Sequence, residues 1–212
     1  MHRMFSALGL IFGLLLTAGL SAGAQVPDDC RISAETLAGI RLMLTAEDSG
    51  IFFEIWTHEE IACACIDLYY NDPSDAGFHD RVITGAVVLL GMTEDPRAVP
   101  VLIDAIDTHP PQALYALGNF PTVEALNALV AHVCDENPEA RENAAEGLRR
   151  MPPSPSDAIP DGWQEALAAA IDEVDAWLPH ENEADFILYF YDARSNLSEL
   201  LEAATAGSAG TE

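Results

Sequence analysis

From Phe78 onward the chain repeats itself, and that periodicity limits what it can fold into more than any single motif does. "RVITGAVVLLG" ends at Gly91 and "PQALYALG" at Gly118, 27 residues later. With the same offset, "AVPVLIDAI" (98–106) lies over "ALNALVAHV" (125–133). Ala98 meets Ala125, Val99 meets Leu126, Leu102 meets Leu129, Ile103 meets Val130 and Ile106 meets Val133. Apolar residues at i, i+3 and i+4 are those of helices buried along one face. A third unit follows: "NPEARENAAEGLRRM", then "WQEALAAAIDEVDAWL", which carries the same A-L-x-x-x-I-x-x-V spacing from Ala166 to Val174. Between its two helices, 152–162 ("PPSPSDAIPDG") is a loop insertion. Each unit is two short helices and a turn, and neither helix can bury its apolar stripe alone. Stacking the pairs makes the core continuous, so the expected fold is all-α, a right-handed α-solenoid of stacked helix pairs over 78–178. An N-terminal helical extension, 25–77, and a C-terminal helix, 179–204, are expected to cap its ends. The stretch 205–212, "TAGSAGTE", reads as a disordered tail.

Local signals agree with this frame. "SAETLAGIRLML" starts with Ser33 as an N-cap and repeats apolar residues at Leu37, Ile40 and Leu44. Gly50 ends that pattern, "IFFEIW" fits helix or strand equally, and Thr57 to Glu60 fits a capping box opening "EEIACACIDLYY". The segment "DPRAVPVLIDAI" (95–106) poses a problem, because Pro100 would lack the bond to the carbonyl of Pro96 in a helix begun at Asp95. The spacing predicts a tight 3₁₀-like turn over 96–98, with Asp95 as cap and regular helix starting near Ala98.

"DRVITGAVVLLGMTEDPRAVPVLIDAI" and "NPEARENAAEGLRRM" resemble the short HEAT-like repeats of phycobilisome-lyase-related proteins. There R-x-x-A-A-x-A-L-G is followed by D-P-R-A-V-P-x-L-I-x-A-L. The likeness is strong over 79–107, moderate to about 151 and weak beyond. At 108–120 "THPPQALYALGNF" lacks the first-helix arginine, and "FPTVEA" replaces the Asp-Pro turn, which predicts a shortened or reoriented repeat. The resemblance implies a HEAT-like or armadillo-like superhelix used for binding other proteins, and it carries over no catalytic residue. Some members of that family attach or remove bilin chromophores, but no residue here supports such a role.

Composition narrows the partners. Residues 1–24, "MHRMFSALGLIFGLLLTAGLSAGA", have a basic n-region, an apolar run and an A-x-A-like end, the pattern of a cleaved secretory signal peptide. The protein is thus expected to be exported, to the periplasm of a diderm bacterium or outside the cell, with no membrane segment after cleavage. There is no lysine, and 9 arginines stand against 35 acidic residues. Such a field repels phosphate backbones and disfavours nucleic acid, while it attracts a cationic protein or peptide. Solubility alone explains the charge as well.

Candidate chemistry is sparse. Four cysteines in an exported chain raise disulfides. Cys63 and Cys65 in "CAC" point to nearly opposite sides of a helix, so the expected frame joins Cys30 to one of them and leaves Cys134 to pair with the other or stay a thiol. His79 with Asp80, His180 with Glu181 and Glu183, and Asp72, Asp75 and Asp80 are local groups of metal-type ligands. They lack the spacings of zinc or EF-hand sites and read as helix-end polar residues. No nucleophile elbow, phosphate loop or dinucleotide fingerprint is present, and no cofactor or metal site is expected. The remaining surface is that of the second helices. Arg97, Val101, Asp104 and Asp107, then Glu124, Asn127 and His132, then Asp172, Glu173 and Asp175 would form a partner-binding ridge, with Trp163 and Trp177 as anchors. The same positions also suit the wet face of ordinary amphipathic helices. The expectation is a non-catalytic protein-interaction scaffold. The alternative from another class is an envelope enzyme or redox protein using Cys63 and Cys65 or a bound metal.

Overall fold

The 3.6-residue periodicity becomes helix along the chain. The computed structural model describes residues 26–45, 55–72, 76–154, 159–181 and 184–209, and among these there are nine α-helices and no strand. They are α1 (Ala34–Thr45), α2 (His58–Asn71), α3 (Ala76–Leu90), α4 (Ala98–Ala105), α5 (Pro110–Leu117), α6 (Val123–His132), α7 (Pro138–Arg150), α8 (Trp163–Trp177) and α9 (Ala184–Ala209), with a 3₁₀ turn at Leu178–His180. The expected signal segment lies outside the described residues.

Capping chemistry sets the helix starts. Ser33 Oγ accepts from the Thr36 amide at 3.0 Å. Thr57 and Glu60 form the reciprocal box, the Glu60 amide donating to Thr57 Oγ1 at 3.2 Å and the Thr57 amide to Glu60 Oε2 at 2.9 Å. Thr122 and Asn137 cap α6 and α7 with their own side chains. At α4 the Ala98 amide donates to Asp95 O at 2.9 Å and the Val99 amide to Pro96 O at 3.1 Å, the i to i−3 bonds of a tight turn. Regular helix starts at Ala98 and Pro100 stands in its first turn, where its missing N–H leaves no helical bond unmade.

Each cap contributes about 1 kcal/mol, whereas a fully buried leucine contributes about 1.5–3 kcal/mol. Packing therefore decides which helices persist. One core runs through the chain and includes Ile40, Leu90, Leu102, Leu126, Leu148, Trp163 and Phe190, each at most 1 % exposed. The helices meet in a regular order. Odd-numbered helices touch the next odd one (α1 with α3, α3 with α5, α5 with α7, α7 with α9), and even-numbered ones the next even one. Sequential helices also touch, from α1 with α2 through α6 with α7, and again α8 with α9. The polar sequence of α7, "PEARENAAEGLRR", still holds a central place because its inward residues Ala140, Ala144, Ala145 and Gly147 are small and let neighbours approach.

One close approach between helices is backbone on backbone. A Cβ on Gly118, just after α5, would lie 2.6 Å from both Cα and O of Gly147 in α7. A Cβ on Gly91, 27 residues earlier, would lie 2.6 Å from the Cβ and 2.9 Å from the Cα of Ala116 in α5. The repeated glycine is thus where consecutive odd-numbered helices cross.

Two departures from the sequence pattern have local causes. Helix α5 has eight residues against 15 in α3, because Pro110 and Pro111 open it only seven residues before Leu117, as the irregular second unit implied. At the other end α9 continues to Ala209, through residues 205–209 of the stretch that reads as disordered. Alanine is the strongest helix former, and the end is anchored: Ala204 is 4 % exposed and its carbonyl accepts from Gln164 Nε2 at 3.0 Å.

Of the disulfide alternatives, Cys30 and Cys63 lie at disulfide distance with Cα atoms 4.9 Å apart, while Cys65 faces the core. Gly118→Ala is expected to destabilise the fold by about 3 kcal/mol through overpacking. Gly162→Ala, at a left-handed residue with φ +76° and open space around it, should cost only about 1 kcal/mol. Urea midpoints at constant slope measure both, and equal losses would contradict a tight backbone crossing at Gly118.

Candidate functional site

The ridge expected on the even-numbered helices resolves into core residues, internal ties and free surface. Val101 is 3 % exposed and Trp163 1 % exposed, so both belong to the core rather than to a binding face. The cause for Val101 is that α4, eight residues long, is packed against α2, α3, α5 and α6 together, which leaves it little wet side. Trp163 opens α8 directly after left-handed Gly162 and enters the core there. Trp177 is partly buried, with Arg141 over its ring at 6.0 Å.

Arg97 is an internal tie. Its guanidinium holds Asp95 at 2.6 Å, Asp29 at 3.2 Å and Glu59 at 3.4 Å, joining the turn before α4 to the N-terminal segment and to the first turn of α2. The hydrogen bond from Arg97 keeps the Asp95 carboxyl below the usual carboxylate range. Asp104 accepts from the Tyr70 hydroxyl at 2.9 Å. His132 bonds Asp135 at 3.0 Å, and Asp175 pairs with Arg194 of α9 at 2.6 Å. Of the ridge residues, Asn127 and the carboxylates Asp107, Glu124, Asp172 and Glu173 face solvent, as does the ion-paired Asp175.

The thiols are placed for packing. Cys65 is fully buried, and burial pushes its thiol far above the ordinary range. Cys134 is half-buried with Sγ 3.6 Å from Glu173 Oε1; burial first, and then the Glu173 charge, push it up to about 11. At pH 8 that leaves about one thiolate in a thousand, and the thiolate is the reactive form. Among the described residues, no three His, Cys, Asp or Glu side chains are grouped to hold a metal ion. Asp72 instead accepts from Arg41 at 2.8 Å and meets His79 at 3.3 Å, and buried Glu181 pairs with Arg141 at 3.1 Å. Asp75 and Glu183 lie outside the described residues.

A second site has no counterpart among the sequence expectations. Where the ends of α3, α5 and α7 meet there is a cavity of about 440 Å³, whose lining includes Val88, Met92, Gln112, Tyr115, Asn119 and Arg150. The Arg150 guanidinium lies 4.0 Å over the Tyr115 ring. Asn119 Nδ2 donates to Gly91 O at 2.8 Å, which turns its Oδ1 toward Arg150 Nη2, 3.4 Å away. Arg150 Nη1 is buried without a hydrogen-bond partner. The sequence does carry a trace of this site in the aromatic at an outer position of "PQALYALG" and the second arginine of "GLRRM". Only the packing of α5 on α7 brings the two together.

No protein-family model, curated protein or solved structure matches the chain.

In the native, unreduced protein Cys134 is expected to alkylate slowly and Cys65 only after unfolding. Glu173→Gln removes a charge that disfavours the thiolate, so it lowers the Cys134 pKa and should raise its rate at pH 8 roughly three- to tenfold. Rates followed by mass spectrometry test this. A rapidly reacting pair of thiols in the native protein would contradict the burial of Cys65 and the shielding of Cys134.

Proposed function

We propose that the protein is an exported, HEAT-like solenoid that serves as a non-catalytic scaffold and holds a basic segment of a partner protein on its even-numbered helices. The solenoid reading rests on the contact order: each helix packs on the next but one, and the sequence repeat recurs at that same interval. Export is supported by the N-terminal leader pattern and by the Cys30–Cys63 pair, which suits an oxidising compartment. No helix among the described residues is long and apolar enough to cross a membrane.

The observation that carries the binding role is the unequal use of charge along these helices. Arg97 is engaged by three carboxylates, whereas Asp107, Glu124 and Asp172 stand exposed on three successive even-numbered helices or their ends. A row of like charges in water repels itself weakly and is relieved by a cationic segment laid along it.

Fluorescence anisotropy with an arginine-rich peptide tests the reading. Binding should weaken steeply with salt. Neutralising Asp107, Glu124 and Asp172 together should lower affinity roughly tenfold. Neutralising the exposed α9 residues Asp192, Glu199 and Glu202 should change it far less. Equal losses from the two sets would reduce the effect to net charge and refute the assignment to this face.

A further inference from the structure

We propose that the cavity between α3, α5 and α7 binds a carboxylate carried on an apolar body, with Arg150 as its counter-ion. In a chain with 9 basic and 35 acidic residues, carboxylates are in excess for every arginine. Arg41, Arg97, Arg141, Arg149 and Arg194 each hold one at 2.6–3.1 Å. Arg150 has no carboxylate at ion-pair distance among the described residues. Its neighbours are neutral: the Tyr115 ring, the long contact to Asn119, and nothing at Nη1. A guanidinium partly withdrawn from water with so little hydrogen bonding is destabilising until an anion compensates it. The cavity beside it is the place where one fits.

Its lining defines the rest of the ligand. No acidic side chain lines the cavity, so a bound anion meets no carboxylate at contact distance there. Val88, Met92 and Tyr115 are 45, 56 and 44 % exposed, and three large apolar side chains gathered at one opening form a patch that an apolar group covers. The Gln112 amide is a neutral donor for a second carboxylate oxygen. One cation flanked by an aromatic face suits a monoanion, whereas a phosphate dianion requires more donors than this lining supplies. The volume lies within the range of small-ligand sites, about 300–1,000 Å³. The site belongs to the odd-numbered helices and does not depend on the acidic face of the even-numbered ones.

The probes are 3-phenylpropionate and its neutral counterpart 3-phenylpropionamide, titrated into the ¹⁵N-labelled full chain and followed by amide chemical shifts. The acid should shift residues 88–92, 112–119 and Arg150, and bind roughly tenfold more tightly than the amide. Arg150→Gln should abolish that preference. Because this change also removes the ring contact, Met92→Glu is the second variant. It alters an exposed turn residue and sets a competing carboxylate at the rim, and should bring acid binding down to the level of the amide. Equal binding of acid and amide by the unaltered protein, shifts located elsewhere, or a preference that survives both variants would overturn the proposal. A tripeptide acid ending in phenylalanine identifies the source. Tighter binding than 3-phenylpropionate assigns the site to a peptide C-terminus, and weaker binding to a free organic acid.

Discussion

The crossing of α5 and α7 at Gly118 and Gly147 is the contact on which most of the described structure depends. There the two backbones meet without side chains between them. That approach sets how far α5 descends onto α7, and so where Leu114, Leu117, Leu129 and Leu148 interdigitate. The same approach brings Tyr115 under Arg150 and opens the cavity beside them. Spacing the helices by even one methyl group would separate ring from guanidinium and loosen the leucines at once, since interiors at crystal-like density have little slack.

A net excess of carboxylates shapes the remaining architecture through scarcity of cations. Arginines act as clamps between elements that are distant in sequence. Arg97 gathers Asp29, Glu59 and Asp95, and Arg141 joins α7 to Glu181 while also donating to the Asp135 carbonyl at 2.9 Å. Arginine suits this work because its planar fork bonds several acceptors at once. These partly buried networks matter more than the exposed pairs such as Arg149 with Glu146, which water and salt screen.

Much of the fold is legible in the residues. Periodicity locates the helices from α3 to α8, the Thr57 box and the Asn137 cap mark their starts, and the two prolines of 95–106 announce the turn that precedes α4. Solvent exposure is harder to read. Val101 occupies an outward position on a helical wheel, yet α4 is too short and too surrounded to have an outward side. Spacing alone assigns charged residues to a surface, whereas Arg97 is largely covered and held by Asp29 and Glu59, far away in sequence. The cavity is hidden for the same reason, because it is made by three helices whose sequences show nothing unusual singly. The C-terminal end differs again: its small residues read as disordered, whereas the helix anchored at Ala204 runs on through 205–209.

The ladder of contacts between neighbours also governs how the chain is organised in sequence. A helix that packs mainly on its next two neighbours closes short loops, so loop-closure entropy is lost in small steps. The two ends of such an array are not equivalent. At one, the Cys30 and Cys63 pair at disulfide distance and the Arg97 clamp tie the segment before α1 to α2. At the other, α9 is held by side-chain packing, the ion pair of Arg194 with Asp175 and a few amide bonds. The first described segment is therefore fastened by a few specific links, whereas α9 is held along its length by packing on α7 and α8.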